Sequence, residues 1–594
     1  MTHPASGSRA QSAPVKTIGF LVDWIDDAYQ NQILDGVRDA ARDRRIQLLC
    51  FAGGVLNSEL RGGARRNATF ELVNAENVDG LILMSGTLGN QIGASQLLAY
   101  SERFGKLPRV SVAAPLPGMA SVVVDNRTGI ESAITHLIRS HSCREIAFVR
   151  GPEQNLEAEL RYEVYRTVLA AHSIELDSRL VASGDFLTES GRRAVAELYD
   201  RRGVRPEAIV TANDQMALGV LEALAERKIR VPDDVAVVGF DDIEEARFTS
   251  PPLTTVRQPL YEQGREAVRL LLSEVYGGAR GEPVTLHTEL IVRRSCRCFG
   301  DQLSISLAGL PKRASFEAAL VERRQIVMAD LARAARGGFG VLGSGWEARL
   351  IGALTGDLRG DGAPAFARGI EEALLKLLEQ RADFNPFHDM LSALRRHLLA
   401  CLEGDPERRV RAEDLFQQAR TLVGQVSERA QAQQKLATTR WSGALAQTGA
   451  ALLACQDLSQ LQAAVSRHFP ALGVQSCFIS LYAEHPSARD QLAVVYTAGT
   501  PFQRHDAAAA RRADLPRWLL DSGVSGAFYV ATLFSGERVL GYALIDLGAR
   551  EGIVYEALRE FLSAAVRSIV LNARSRQTDA PPPASVDSPP HPPK

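Results

Sequence analysis

Short apolar runs recur along the first half of the chain, and amphipathic stretches separate most of them. The runs are Ile18–Val22, Leu48–Phe51, Gly80–Met84, Arg109–Val112, Ser121–Val124, Glu145–Val149, Ala208–Thr211 and Val235–Val238. Between them apolar residues return at helical spacing, as at Ile33, Val37, Ala40 and Ala41, at Met216, Val220, Leu221 and Leu224, and at Ala267, Val268, Leu271, Leu272 and Val275. Strands apolar on both faces that alternate with amphipathic helices predict an α/β fold, a parallel sheet covered by helices. The units up to residue 298 are too many for one sheet of ordinary size, so two lobes are expected. In such sheets ligands bind beyond the carboxyl ends of the strands.

From about residue 300 strand signals stop until about 474. Residues 315–336 and 366–402 show helical spacing, broken at Gly337–Gly340 and Asp383–Pro386. Residues 407–440 predict one long polar helix. Its stripe of Leu415, Ala419, Leu422, Val426 and Leu436 is interrupted by Arg429 and Gln433, which leaves a dimer seam and a solvated connector both open. An amphipathic helix through Leu445, Leu452, Leu453, Leu458, Leu461 and Val465 then leads into strands at Cys477–Tyr482, Leu492–Tyr496, Ala527–Leu533 and Val539–Ile545. The last two flank a hairpin turn at Ser535-Gly-Glu537, and a helix from Tyr555 to Ala573 closes the region. The expected division is 1–15 disordered, 16–298 two-lobed, 299–406 helical, 407–440 connecting helix, 441–575 α+β, and 576–594 a disordered Pro-rich tail.

Composition narrows the classes. With 45% apolar and 23% charged residues the chain is ordinary globular protein. A formal net charge of −2 argues against a chain built to coat nucleic acid. The seven cysteines are scattered and odd in number, unlike a disulfide framework. Cys296-Arg297-Cys298 lacks a second ligand pair at zinc spacing in the sequence and reads as two reduced thiols at a strand end; no metal and no cofactor is expected. The N-terminus has no apolar signal segment, and no apolar stretch approaches the roughly 20 residues that span a bilayer, so a cytoplasmic protein without membrane contact is expected. No nucleophile elbow, phosphate loop, zinc-protease, kinase or cyclase signature occurs, and an enzyme is not expected.

Four stretches carry a family resemblance. They are Val122-Val-Val-Asp-Asn126, His141-Ser-Cys-Arg-Glu-Ile-Ala-Phe-Val-Arg-Gly151, Thr211-Ala-Asn-Asp-Gln-Met-Ala-Leu-Gly219, and Val231-Pro-Asp-Asp-Val-Ala-Val-Val-Gly-Phe-Asp-Asp242, which continues to Pro251-Pro-Leu-Thr-Thr-Val-Arg-Gln-Pro259. In order and spacing they resemble the sensor domain of LacI/GalR-family regulators, over about half the chain. The resemblance implies a periplasmic-binding-protein type I sensor: two Rossmann-like lobes, joined by three crossing strands, that close on a small molecule. The family's helix-turn-helix head finds no counterpart in the fifteen or so residues before the first strand. Residues 441–575, with Ser535-Gly-Glu-Arg-Val-Leu-Gly-Tyr-Ala-Leu544, resemble a GAF domain.

The candidate ligand residues follow. Trp24, Asp26 and Tyr29 share the loop after the first strand, where an aromatic ring can stack on a sugar or base; a packed loop aromatic is the alternative. Arg161 resembles the family's cleft arginine, whose fork suits hydroxyl, carboxylate or purine acceptors. Asn213 and Asp214 follow a strand at a helix start, where Asp214 could also serve as an N-cap. Asp241 resembles the family's ligand-contacting aspartate, with Asp242 a hinge partner; Asp125 and Asn126 are expected to serve the lobe crossover, and His141 to be structural. The expected partners are a sugar or a nucleobase- or nucleoside-like effector, a second copy in a homodimer, and a signalling protein or DNA as output. Two rival readings stand beside this regulator. One is a transcription factor binding DNA through Arg395-Arg396-His397 and Arg408-Arg409-Val-Arg411; the other is an enzyme with an unrecognised site.

Overall fold

A computed structural model describes residues 15–58, 63–298, 324–332, 342–360, 365–379, 385–402, 404–482, 491–498, 515, 526–548 and 552–578. Of the expected disordered ends, 1–15 and 576–594, residues 1–14 and 579–594 lie outside them, as does the breaker Gly337–Gly340, whereas residues 576–578 continue the last helix. The chain forms two compact units, one of Met1–Cys298 with Gly443–Lys594 and one of Phe299–Ser442.

In the first unit five strands build one lobe: β1 (Thr17–Val22), β2 (Gln47–Ala52), β3 (Gly80–Leu83), β4 (Arg109–Val112) and β5 (Ala120–Val124). Five more build the second: β6 (Ile146–Val149), β7 (Val181–Ala182), β8 (Ala208–Thr211), β9 (Ala236–Asp241) and β10 (Thr254–Arg257). Then β11 (Val284–Leu286) returns to the first sheet and β12 (Glu289–Ile291) to the second. The two sheets run β11-β5-β4-β3-β1-β2 and β12-β10-β9-β8-β6-β7. The chain therefore crosses between lobes three times: after β5, after β10 and after β11. The first and third crossings are tied to each other, since Asp125 N donates to Leu286 O and Thr288 Oγ1 to Asp125 O. The runs buried on both faces are the strands, as the pattern requires; every residue of β1, β2 and β9 is buried. After the second crossing, helix Leu260–Val275 packs on helix Ala28–Asp43 at two glycines. A Cβ on Gly36 would lie 2.0 Å from Tyr261 O, and one on Gly264 2.1 Å from Ile33 O, so any side chain would force the helices apart.

The C-terminal strands are β13 (Ser476–Leu481), β14 (Gln491–Thr497), β15 (Ala527–Ser535) and β16 (Arg538–Asp546), antiparallel in the order β15-β16-β13-β14. They extend the first lobe's sheet. β15 pairs parallel with β2, Ala527 opposite Leu48 through Val530 opposite Phe51, and makes one ten-stranded sheet. An exposed apolar edge at β2 would invite aggregation, and this pairing covers it. Helix Gly552–Thr578 begins against the loop after β1, where a Cβ on Gly552 would overlap Ile25 O. Beneath the joint lies a buried ionic knot. Arg66 Nη2 donates to both oxygens of Glu556 at 2.7 Å, Tyr529 Oη donates to Oε1 at 2.9 Å and Arg559 Nε to Oε2 at 3.2 Å. Burial alone would raise the Glu556 carboxyl, but Arg66 and Arg559 outweigh it and hold it below its ordinary range.

The second unit is helical among its described residues. Helices Trp346–Arg359, Ala365–Glu379 and Asn385–Cys401 pack through Leu354, Phe366, Ile370, Leu374 and Leu391. The expected connecting helix runs on into the first part of the expected leading helix of the C-terminal region as one continuous 48-residue helix, Pro406–Leu453, while the remainder forms a separate helix, Leu458–His468, capped by Asp457. Leu415 and Ala419 from its stripe lie in this unit's core, whereas Leu436 is exposed. Among the described residues no helix is long and apolar enough to cross a membrane.

Candidate functional site

Helix Leu156–Ala171 starts just beyond β6, capped by Asn155, whose side chain accepts from Ala158 N. Its buried face carries Glu157 and, one turn on, Arg161. Arg161 Nε donates to Asn126 Oδ1 at 2.7 Å and Nη1 to Ala212 O at 2.7 Å, while its guanidinium lies 3.9 Å from the Phe240 ring centre. Nη1 is 4.0 Å from Asp241 Oδ1, and Nη2 is 3.6 Å from Glu157 Oε1. Asn126 Nδ2 donates to Glu157 at 3.0 Å, and Gln258 Nε2 to Asp241 Oδ1 at 2.6 Å. Residues of two inter-lobe crossings, Asn126 and Gln258, thus hold the acids that flank Arg161. Asp241 ends β9 at φ +127°, a strained backbone for a residue with a side chain, of the kind that concentrates at ligand sites. Burial pushes the carboxyls of Glu157 and Asp241 up, and Arg161 opposes it.

The first lobe supplies the facing side. Asp23, directly after β1, accepts from Thr87 Oγ1 at 2.7 Å and from Gln30 Nε2, and burial pushes it up to about 6. Tyr29 sits where its phenol feels Glu157, Asp241 and Arg161 of the other lobe; burial first, then Glu157 and Asp241, hold its pKa well above the ordinary value. The lobes touch at Asn155, whose Nδ2 donates to Gly86 O at 2.6 Å and to Asn90 Oδ1 at 2.7 Å.

Of the residues singled out from the sequence, Tyr29, Arg161 and Asp241 come together. The others make contacts of their own. Trp24 is buried, with the Arg66 guanidinium 4.8 Å from its ring. Asp26 lies in the loop stretch met by Gly552, whose Cβ would come 2.8 Å from Asp26 N. Asn213, rather than Asp214, caps helix Asp214–Glu226 by accepting from Met216 N, and its Nδ2 donates to Phe186 O. Asp214 is sealed in the second lobe's core, where Oδ1 accepts from Thr255 Oγ1 at 2.6 Å and Oδ2 from Ile243 N at 3.1 Å. Asp242 accepts from Arg257 Nε and Arg293 Nη2 and ties β9 to β10 and the segment after β12. Sequence reasoning passed over Glu157 and Asp23. The i,i+4 spacing of Glu157 and Arg161 was a usable signal for the first, and the strand-end position for the second.

Asp214 gives a pH prediction. Burial pushes its carboxyl from 3.8 up to about 7, so the folded protein keeps a proton that the unfolded chain gives up. That contribution is complete below about pH 4 and is lost as pH rises through about 7, on the order of 2–4 kcal/mol over the window. Melting temperatures measured across this window should fall more steeply for the wild type than for Asp214→Asn; parallel profiles would refute the assignment.

Two lobes of parallel sheet, three crossings and a charged cluster at the strand ends between them define a ligand-binding module of the periplasmic-binding-protein type. Comparison with known proteins agrees. A periplasmic binding protein-like domain family matches residues 134–296. The ribose operon repressor of Escherichia coli strain K12 is 32% identical over 262 residues, 44% of this chain and 75% of the repressor. The HTH-type transcriptional repressor CytR of the same strain is 30% identical over 284 residues, 48% of this chain and 80% of that protein. Among solved structures, a transcriptional regulator CelR–cellobiose complex is 30% identical with a TM-score of 0.42, covering 48% of this chain and 86% of that one. The chain belongs to the LacI family of transcriptional regulators through its two-lobed sensor.

Proposed function

We propose that the protein is a cytoplasmic regulator that senses a small polar solute, a sugar or a nucleobase- or nucleoside-like molecule, between its lobes. The observation that carries this reading is the buried Arg161–Glu157–Asp241 cluster set opposite Tyr29. Arg161 Nη2 and Asp241 Oδ2 make no hydrogen bond among the described residues, which leaves a donor and an acceptor for a polyhydroxylated or heterocyclic ligand. The family relationship supports it, and one relative's name points to ribose. Residues 441–575 act as a GAF-like relay module. The order β15-β16-β13-β14 fits that reading, and the contact of Gly552 with the β1 loop gives ligand-driven closure a short path into it. A ligand shifts this arrangement only by its differential affinity for the closed form. The long helix serves a homodimer, and the output is transcription or a signalling partner rather than catalysis.

The reading of the helical region as a DNA-binding surface is weaker. Arg395 is held by Glu413 at 2.6–2.9 Å and His397 by Asp330 at 2.8 Å, so two of its three leading basic residues are already paired. A thermal-shift screen of the full chain with pentoses, hexoses, purines and nucleosides tests the sensor. A hit should raise the melting temperature in proportion to the logarithm of its concentration, and Arg161→Lys should abolish the shift. A hit that survives unchanged in that variant would place the ligand elsewhere.

A further inference from the structure

The thiol pair Cys296–Cys298 does have partners, although the sequence places them about 160 residues away. Helix Asn126–His141 supplies His136 and, as its last residue, His141; Ser142 then turns the chain away in the left-handed region at φ +57°. On the other side Arg297 also adopts a positive φ, +76°, which lets the cysteines on either side of it face the same point. One ligand atom from each of the four residues lies within 4.8 Å of all the others. We propose that His136, His141, Cys296 and Cys298 bind one tetrahedral divalent cation of the zinc type, a site independent of the ligand cleft.

The distances carry the argument. His136 Nε2 lies 3.4 Å from Cys296 Sγ, 3.5 Å from Cys298 Sγ and 3.3 Å from His141 Nε2, and His141 Nε2 lies 3.3 Å from Cys298 Sγ. A tetrahedral zinc with bonds of about 2.0–2.1 Å to nitrogen and about 2.3 Å to sulfur puts its ligand atoms about 3.3–3.4 Å apart for N···N and about 3.6 Å apart for N···S. Hydrogen bonding does not account for the convergence. One imidazole nitrogen offers one proton or one lone pair, yet this one faces three heteroatoms at nearly equal range. The surroundings are those of a ligated pair. Ser140 Oγ is 3.4 Å from His136 Nδ1, fixing the ring from behind, and Thr254 Oγ1 donates to Cys296 Sγ at 3.1 Å, as it would to a thiolate.

Four protein ligands make a closed, structural site rather than a catalytic one. Binding converts two thiols to thiolates and releases their two protons to solvent, with no redox change. The site clamps the last residues of the second lobe, at the point where the chain leaves this unit, onto the helix that follows the first lobe crossing.

The test uses the full chain, purified under reducing conditions, stripped with a chelator and dialysed against zinc chloride. Mass-spectrometric metal analysis should find one zinc per chain, and cobalt chloride should give the thiolate charge-transfer and intense visible bands of tetrahedral Co(II). Zinc should also raise the melting temperature of the stripped protein. Cys298→Ser and His141→Ala, checked for native circular dichroism, should lose the zinc and the cobalt bands. Folded wild-type protein that takes up no zinc beyond the buffer blank, or variants that keep a full equivalent, would overturn the proposal. If either variant fails to fold, the wild-type cobalt spectrum decides: bands without thiolate charge transfer exclude the cysteines, and no bands exclude the site.

Discussion

Arg161→Ala is expected to cost about 3–5 kcal/mol of stability and to eliminate the response to ligand, because it strands two buried acids. Glu157 and Asp241 both lie within 4.0 Å of the guanidinium and both are nearly inaccessible to solvent. Without Arg161 the negative charge of Glu157, which already acts on Asp241, goes unopposed by the guanidinium. The carboxyls of both acids, already raised by burial, rise further and protonate. The sign of the pH dependence follows. A protonated acid needs no counter-ion, so the deficit of Arg161→Ala relative to wild type should shrink as pH falls and widen toward neutrality. Chemical denaturation at several pH values checks this; a deficit independent of pH would mean that the loss is one of packing on Phe240 alone. Adding Glu157→Gln to Arg161→Ala should recover part of the lost stability, since one stranded charge is then removed.

Glu556→Ala is the second large effect. It removes the carboxylate that answers Arg66 from the first lobe and Arg559 from the C-terminal helix, and leaves two guanidinium groups in a buried joint. A loss of about 3–5 kcal/mol is expected, concentrated at the seam between β2 and β15. Hydrogen-exchange mass spectrometry should show amides of Gln47–Ala52 and Ala527–Ser535 exchanging together and faster than in wild type. Unchanged protection there would mean that the strand pairing stands without the ionic knot. Because the Glu556 carboxyl is held below its ordinary range, its contribution is present at neutral pH and is lost as pH falls through that lowered value. Wild type and variant should therefore converge in acid.

Much of the sensor was legible because its signals are local. Apolar runs of strand length gave β1, β9 and their neighbours, and the turn Ser535-Gly-Glu537 gave the β15–β16 hairpin, with Gly536 at φ +58°. Position relative to strand ends and family register single out Tyr29, Arg161 and Asp241, and the structure brings these three side chains together. What escaped was non-local. No property of Leu48–Phe51 announces a parallel partner at Ala527–Val530, since a strand buried on both faces reads the same whichever strand lies beside it. The apolar pattern divides the helix Pro406–Leu453 because its buried face serves residues of one core and then of another, so no single stripe runs through it. Asp214 was misplaced because a strand-end acid can face the cleft or turn beneath the sheet. It turns beneath, filling the space that Gly239 leaves: a Cβ there would lie 2.0 Å from Asp214 Oδ1. His141 reads as a structural helix residue, since the thiols that it and His136 meet, Cys296 and Cys298, come from the far end of the second lobe.

Calorimetric titration of the full chain, wild type beside Asp241→Asn, with D-ribose, a hexose panel and purine and pyrimidine nucleosides, bears most directly on the sensing cleft. The wild type should give a saturable one-site isotherm for one of these classes, and Asp241→Asn heats indistinguishable from dilution. Dilution heats for every compound with the wild type, or an isotherm left unchanged by Asp241→Asn, would contradict it.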